Sequence, residues 1–198
     1  MALLRIDDSA VEPISLDEAK AHLRLDTDDD DALVSSLITA ARVHIEQVLG
    51  HITVEQTWVE VRDAWPAYGP GVGGEVRLSL GPVRNLLEIR VVDPSGSAAS
   101  IPASDYFTDV VSVPARIGLT DGAVWPQPGR AMNGIEIEFT AGYGLAAEDV
   151  PQPLRQAVLL LVAHWYEQRE PVAVGSTMTE LPHMVAGLVA PFRMPRLG

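Results

Sequence analysis

The chain of 198 residues contains no cysteine and a single lysine, Lys20. The missing cysteines exclude a disulfide framework, a cysteine-ligated zinc site and a thiol nucleophile, and they fit a reducing compartment. Positive charge is also scarce: 14 basic residues stand against 27 acidic ones, which leaves a net charge of −13. Because the arginines are scattered rather than clustered, the sequence offers no basic patch for nucleic-acid phosphates.

Long hydrophobic runs are missing as well. The most apolar stretch, from Ala157 to Tyr166, spans ten residues, whereas a membrane-spanning helix needs about 20. The first residues reach Asp7 before any apolar core forms, so they do not predict a signal peptide. Apolar residues nevertheless make up 47% of the chain. With no internal repeat or low-complexity tract, these features predict one soluble domain over residues 1–198.

Helical periodicity occurs toward both ends of the chain. Ser15 to Glu18 form a capping box, which begins a helix pair over residues 14–50. The second helix stops at Gly50 and carries apolar residues three or four positions apart. We expect its main buried face to comprise Leu33, Leu37, Ala41, Ile45 and Val48, widened by Val34, Ile38 and Leu49. A longer helix, apolar almost all round, is predicted over residues 150–170.

Residues 51–145 change to the two-residue period of strands. Strands are predicted over Ile52–Val61, Glu75–Leu80, Leu86–Asp93 and Gly134–Gly144, with shorter ones near Tyr106 and Ile117. In Gly134–Gly144, Ile135, Ile137 and Phe139 should face inward. A short apolar segment and a tail fill residues 181–198. Because helices and strands are grouped rather than alternating, we predict an α+β fold with an N-terminal helix pair, a central and mostly antiparallel β-sheet, a long C-terminal helix and an extended tail.

Five aspartates lie within positions 26–31 and are the first candidate for a functional site. An EF-hand loop starting at Asp26 would need glycine where Asp31 stands and glutamate where Leu37 stands. We therefore expect Asp28 or Asp29 to cap the second helix. The other aspartates would lie in its first turn, where their charge complements the helix dipole. A small metal-dependent hydrolase that uses these aspartates is the alternative from a different functional class.

Other candidate sites are equally unpromising. His164 and Glu167 share a helix face but lack a second ligand pair, and the glycines of Gly69–Gly74 precede a strand, which predicts a hairpin loop rather than a dinucleotide site. Glu136 and Glu138 alternate outward on a strand, as solvent-facing residues do. No serine lies in a G-x-S-x-G turn. The residues therefore predict no catalytic or metal site and no cofactor.

Several motifs together resemble the head–tail connector proteins of tailed phages, also called adaptor or head-completion proteins, including the adaptors of gene transfer agents. The first is the helix pair ISLDEAKAHLRLDTDDDDALVSSLITAARVHIEQVLG, which matches the family's first helix, acidic break and second helix with its closing glycine. The others are IPASDYFTD, VWPQPGRAMNGIEIEFTAGYG, VPQPLRQAVLLLVAHWYEQRE and LPHMVAGLVAPFR. They occur in the family's order and cover essentially the whole chain.

The resemblance implies a structural role. Such proteins form a ring of roughly twelve subunits beneath the portal protein of a capsid, through a head-to-tail interface that closes on itself. The ring extends the DNA channel, lets DNA pass without specific binding, and offers a surface to stopper or tail proteins. The implied location is the head–tail junction of a phage-like particle assembled in the bacterial cytoplasm. A stopper or a tail terminator is the alternative within this class.

The resemblance also implies that the C-terminal segment attaches to the portal. An apolar anchor flanked by arginines suits docking onto a partner surface. The residues that carry this expectation are Pro191, Phe192, Arg193, Met194, Pro195 and Arg196.

Overall fold

The computed structural model describes residues 1–7, 11–66, 68–69, 72–168 and 182–194. The chain divides into two compact units. The β-unit is built from the N-terminal strand and Glu55–Gly142, and the helical unit from the segments that end at Val54 and Arg193. The single connector domain inferred from the sequence stays a prediction.

The helical unit contains α1 (Leu16–Leu23), α2 (Asp31–Leu49), α3 (Gln152–Glu167) and α4 (His183–Val189). The capping box is confirmed: the Glu18 amide donates to Ser15 Oγ over 3.1 Å, and the Ser15 amide donates to Glu18 Oε2 over 2.8 Å. α3 follows Pro151, and residues 169 and 170, included in the predicted helix, lie outside the described residues. No helix in the described part of the chain is long and apolar enough to cross a membrane.

The buried face of α2 is rotated by one residue from the main face predicted. The core contains Val34, Ile38, Ala41, Ile45 and Leu49, whereas the predicted Leu33 is 41% exposed. Both sets have helical spacing, so periodicity alone does not separate them. All five core residues belong to the predicted set, three of them as the residues that widen the main face. The pattern did not predict the burial of Arg42 and Glu46, because both are charged.

The β-unit contains a five-stranded antiparallel sheet in the order β1-β2-β10-β6-β7. A second sheet has the order β5-β9-β8, and β3 pairs with β4. The strands are β1 (Ala2–Asp7), β2 (Gln56–Arg62), β3 (Tyr68–Gly69), β4 (Val72–Gly73), β5 (Val76–Arg77), β6 (Val83–Val92), β7 (Ala98–Ser100), β8 (Tyr106–Asp109), β9 (Arg116–Leu119) and β10 (Ile135–Ala141). The predicted α+β class, with a helix pair and antiparallel sheets, is confirmed.

Burial in the β-unit follows the predicted alternation. Ile135, Ile137 and Phe139 are fully buried, and Val76 and Leu78 are as well. The strand predicted over Glu75–Leu80 is shorter than expected, because the chain leaves β5 after Arg77. Leu78 still donates its amide to the Ala115 carbonyl over 3.0 Å.

Strand β1, which pairs with β2 at the edge of the large sheet, was not predicted from the residue pattern. Apart from Leu3, which is half-buried, its residues are exposed. An edge strand of this kind has little apolar alternation to detect, since neither of its faces is deeply buried.

Candidate assembly surfaces

The aspartate-rich segment links α1 to α2. Helix α2 begins at Asp31 with Asp30 at the N-cap, so the prediction that Asp28 or Asp29 caps it is wrong. Asp28 instead pairs with Lys20, whose Nζ lies 2.5 Å from Asp28 Oδ1 and 2.8 Å from Asp31 Oδ1. These hydrogen bonds raise the pKa of Lys20, and Lys20 lowers the pKa of Asp28. The Asp28 carboxylate therefore binds Lys20 and does not cap the helix.

The structure also places the candidate metal ligands and the glycine-rich segment that were considered from the sequence. Within the described residues, no group of three histidine, aspartate or glutamate side chains could hold a metal ion. His164 is half-buried on α3, and Glu167 is exposed. At the glycine-rich segment, where a hairpin loop was predicted, Tyr68–Gly69 pairs antiparallel with Val72–Gly73.

Glu136 and Glu138 of β10, predicted to face solvent, form ion pairs with an arginine of the neighbouring strand. Arg90 lies between them: its Nε is 3.1 Å from Glu136 Oε2, and its Nη2 is 3.2 Å from Glu138 Oε2. Glu88 completes the cluster, with Oε2 at 2.9 Å from Arg90 Nη1. One arginine therefore offsets part of the negative charge of three carboxylates on this face of the sheet.

The surface of the helical unit is strongly acidic. Its exposed carboxylates belong to Asp17, Glu18, Asp26, Asp28, Asp29, Glu148, Asp149 and Glu167, whereas its exposed arginines among the described residues are Arg24 and Arg193. A surface with this excess repels phosphates rather than binding them.

The predicted portal-attachment residues fall into two groups. Phe192 closes a short 3₁₀ turn, Ala190–Phe192, and its ring packs edge-to-face on Tyr143 with centroids 6.4 Å apart. Arg193 follows it and is exposed. Pro195 and Arg196 lie outside the described residues. Because Phe192 contacts the helical unit of its own chain, the attachment prediction now depends mainly on Arg193 and the residues after it.

The buried His51 also contacts Tyr143. His51 is 6% exposed, its Nδ1 lies 3.2 Å from the Tyr143 hydroxyl, and its Nε2 has no partner among the described residues. Burial lowers the pKa of His51 and raises that of Tyr143. At neutral pH the His51 imidazole is therefore uncharged, and protonating it in the folded protein is unfavourable.

We expect the helical unit to lose stability as the pH falls from 7 toward 5. The His51 pKa is lower in the folded than in the unfolded protein, so the unfolded chain binds the extra proton once the pH drops through about 6.5. Urea midpoints at pH 7, 6 and 5 measure this slope, which should be shallower in His51→Gln. The exposed His22→Gln is the matched control. Equal slopes in wild type and His51→Gln would contradict the prediction.

The β8–β9 hairpin carries an exposed apolar tip that the residue pattern did not predict. Val111 at this tip is 90% exposed and Val113 is 46% exposed. The Asp109 carboxylate fixes the turn: it accepts hydrogen bonds from the Val111 amide at 3.1 Å, the Ser112 amide at 3.0 Å and Arg116 Nη2 at 2.6 Å. The Ser112 and Arg116 hydrogen bonds hold the pKa of Asp109 well below its usual range.

A mostly apolar groove of about 720 Å³, whose lining also includes Asp63, Gln127 and Arg130, lies in the same unit. Its aromatic part is formed by Trp65 and Trp125, whose rings stack with centroids 4.2 Å apart at 13°. Trp65 Nε1 donates to the Pro126 carbonyl over 2.8 Å, whereas Trp125 Nε1 is buried without an acceptor among the described residues. Leu119 and Val124 also line the groove, and Val124 is 81% exposed.

Comparison with known proteins identifies related structures. Residues 13–67 match the family model of phage gp6-like head-tail connector proteins. The whole chain aligns with 97% of a chain from the neck of an empty gene transfer agent particle, computed with C6 symmetry, at 27% identity and a TM-score of 0.80. A chain from the neck of a native particle, computed with C12 symmetry, aligns over the same shares at 28% identity and a TM-score of 0.72.

A chain from the virion of the native gene transfer agent particle aligns equally completely, at 27% identity and a TM-score of 0.77. No curated protein matches the chain significantly. The matches confirm the predicted resemblance to head–tail connector proteins of the phage and gene-transfer-agent type. They support a structural connector role for the chain.

Proposed function

We propose that this chain, which resembles neck proteins of gene transfer agent particles over its full length, forms a closed ring at the head–tail junction of a virion-like particle. The observation that carries the proposal is the complete alignment with chains from necks computed with C6 and C12 symmetry. In such a cyclic ring each subunit contacts its neighbours through two different surfaces, and the rotation between subunits closes the ring.

The proposed ring sits beneath the portal protein and extends the channel through which DNA passes. The charge of the helical unit supports this role. Its exposed carboxylates greatly outnumber its exposed arginines among the described residues, so a channel wall built from this unit would repel phosphates. DNA would then slide past without being retained. The opposite end of the ring would receive a stopper or tail protein.

Attachment to the portal is assigned to the residues from Arg193 onward. Arg193 is exposed at the end of the short turn that Phe192 anchors to Tyr143. The Phe192 side chain, held against Tyr143, would set the point at which the C-terminal segment leaves the helical unit. A cation in this place can pair with acidic groups on a partner surface.

The proposal is tested by mixing the full chain with the portal protein of the same particle and imaging the complexes by cryo-electron microscopy. We expect a stoichiometric ring at the narrow end of the portal. A variant that lacks Met194–Gly198 should lose attachment yet keep its circular dichroism spectrum, since Phe192 remains in place. The matched pair is Arg193→Glu, which should weaken attachment, and Arg24→Glu, an exposed arginine of the same unit, which should not.

Two results would count against the proposal. If no ring forms on the portal, the connector role is wrong, and a ring found only below another neck protein would favour a stopper or terminator. If the truncated chain attaches as well as the full chain, the assignment of attachment to the C-terminal segment is wrong, whereas the ring itself would stand.

A further inference from the structure

The apolar tip and the apolar groove lie at opposite ends of one β-hairpin. In the β8–β9 pair, Asp109 faces Arg116 at the end nearest the tip, and Tyr106 faces Leu119 at the end that enters the groove. At about 3.3 Å per residue, the paired strands separate these ends by roughly 10 Å. The hairpin register thus holds the tip away from the groove of its own chain.

The tip has the properties of a preformed anchor. Val111 is among the most exposed apolar side chains of the described residues, and Val113 adds a second apolar surface. The Asp109 carboxylate already holds the turn through the Val111 and Ser112 amides. Little conformational entropy would therefore be lost when the tip is buried against a partner.

The hairpin behind the tip is also stiffened. The Phe107 ring lies directly over Gly118 of the neighbouring strand, where a Cβ added to the glycine would come within 2.5 Å of the ring. Arg116 extends the support to β5, with Nη1 3.4 Å from Glu75 Oε2. The tip is therefore carried by a fixed strand pair rather than by a free loop.

The groove has the complementary properties. Leu119, Val124 and the half-buried Trp65 ring, which is stacked on the buried Trp125, form a mostly apolar concave wall. The two charged side chains that also line the groove, Asp63 and Arg130, are held by hydrogen bonds with the Asn133 backbone. A convex apolar turn therefore fits the remaining, apolar part of the lining better than a fully polar ligand.

We infer that the tip around Val111 and Val113 of one copy docks into the Trp65–Trp125 groove of the next copy. The inference rests on the proposed ring, because a cyclic assembly requires two different, mutually complementary surfaces on each subunit. Tip and groove supply such a pair, and their placement at opposite ends of one hairpin gives the head-to-tail direction. They form the central anchor of a larger interface, since a stable interface buries more than about 1,000 Å².

The absence of cysteine from the chain permits a clean cross-linking test. Rings assembled on the portal from Val111→Cys/Val124→Cys protein are treated with a short bis-maleimide and separated under denaturing conditions. We expect a ladder of covalent oligomers. An equal mixture of the two single-cysteine proteins should stop at dimers. The control pair Val111→Cys/Leu145→Cys, in which Leu145 is 72% exposed in the helical unit, should remain largely monomeric.

A second experiment replaces the exposed Val111 at the hairpin tip and leaves the hydrophobic core unchanged. Val111→Asp should reduce ring formation on the portal at least tenfold, whereas Leu145→Asp should leave it unchanged, and both should keep the wild-type circular dichroism spectrum. The tip-to-groove contact is wrong if rings form but the Val111/Val124 protein gives no more cross-linked oligomers than the control, or if Val111→Asp protein assembles normally. Either result leaves the proposed connector ring unaffected. If wild-type protein forms no ring, the proposed function itself fails.

Discussion

Replacing Arg42 by alanine is expected to lower the free energy of unfolding by about 3–5 kcal/mol, because it leaves the buried Glu46 carboxylate without its cation. Arg42 is 1% exposed inside the helical unit. Its Nε lies 2.7 Å from Glu12 Oε2, and its Nη1 lies 3.1 Å from Glu46 Oε2. The other Glu46 oxygen accepts from the Thr53 amide at 2.9 Å and from Thr53 Oγ1 at 2.6 Å. Arg42 thus ties α2 to the segment before α1, and Glu46, held by Arg42, ties α2 to the segment after it.

The loss is measured as the shift in urea unfolding of Arg42→Ala against wild type, with hydrogen exchange locating it in the helical unit. Arg77→Ala is the control: the Arg77 side chain is 47% exposed and pairs with Glu75 at 2.6 Å, and an exposed pair contributes about 0–1 kcal/mol. If Arg42→Ala costs no more than Arg77→Ala, the buried network does not hold the unit together.

The same network explains where prediction from the sequence succeeded and where it failed in α2. The helix and its glycine stop follow from local chemistry, and Gly50 indeed closes the helix with a positive φ of 68°. The burial of Arg42 and Glu46 did not follow, because both look like surface residues until a second carboxylate, Glu12, is brought to them by the fold. Pattern counting assigns charge to solvent, and only tertiary contacts reveal a paired buried charge.

The candidate surfaces divide in the same way. The resemblance carried by the helix pair and the GYG strand predicted the connector class, and the comparisons confirm that resemblance. The apolar tip could not be predicted, because Val111 and Val113 resemble ordinary strand residues in a β-rich segment. Their exposure depends on where the hairpin turns, which the Asp109–Arg116 contact determines. The groove depends on Trp65 and Trp125, which are 60 positions apart in the sequence.

Glu60 presents the second large expected effect, in the β-unit. Its side chain is fully buried in the central part of the large sheet. Oε1 accepts from Arg62 Nε at 2.7 Å, and Oε2 accepts from the Ser79 amide at 2.9 Å and from the Ser79 hydroxyl. Arg62 also donates to the Arg77 carbonyl. This carboxylate therefore joins β2 to the chain that leaves β5, where only two residues of regular strand pairing are present.

We expect Glu60→Ala to lower the stability of the β-unit by about 3–5 kcal/mol, since it leaves a partly buried guanidinium, a backbone amide and a hydroxyl without their acceptor. Glu60→Gln should lose less but remain clearly destabilised, because its amide nitrogen must face a group that also donates. Glu138→Ala is the control: Arg90 keeps Glu88 and Glu136 as partners, so the change should stay within about 1 kcal/mol. Urea unfolding measures all three variants. If Glu60→Ala has wild-type stability, the carboxylate does not hold β5 to the sheet. If stability is lost, faster hydrogen exchange at the Leu78 and Ser79 amides would show that the loss occurs next to β5.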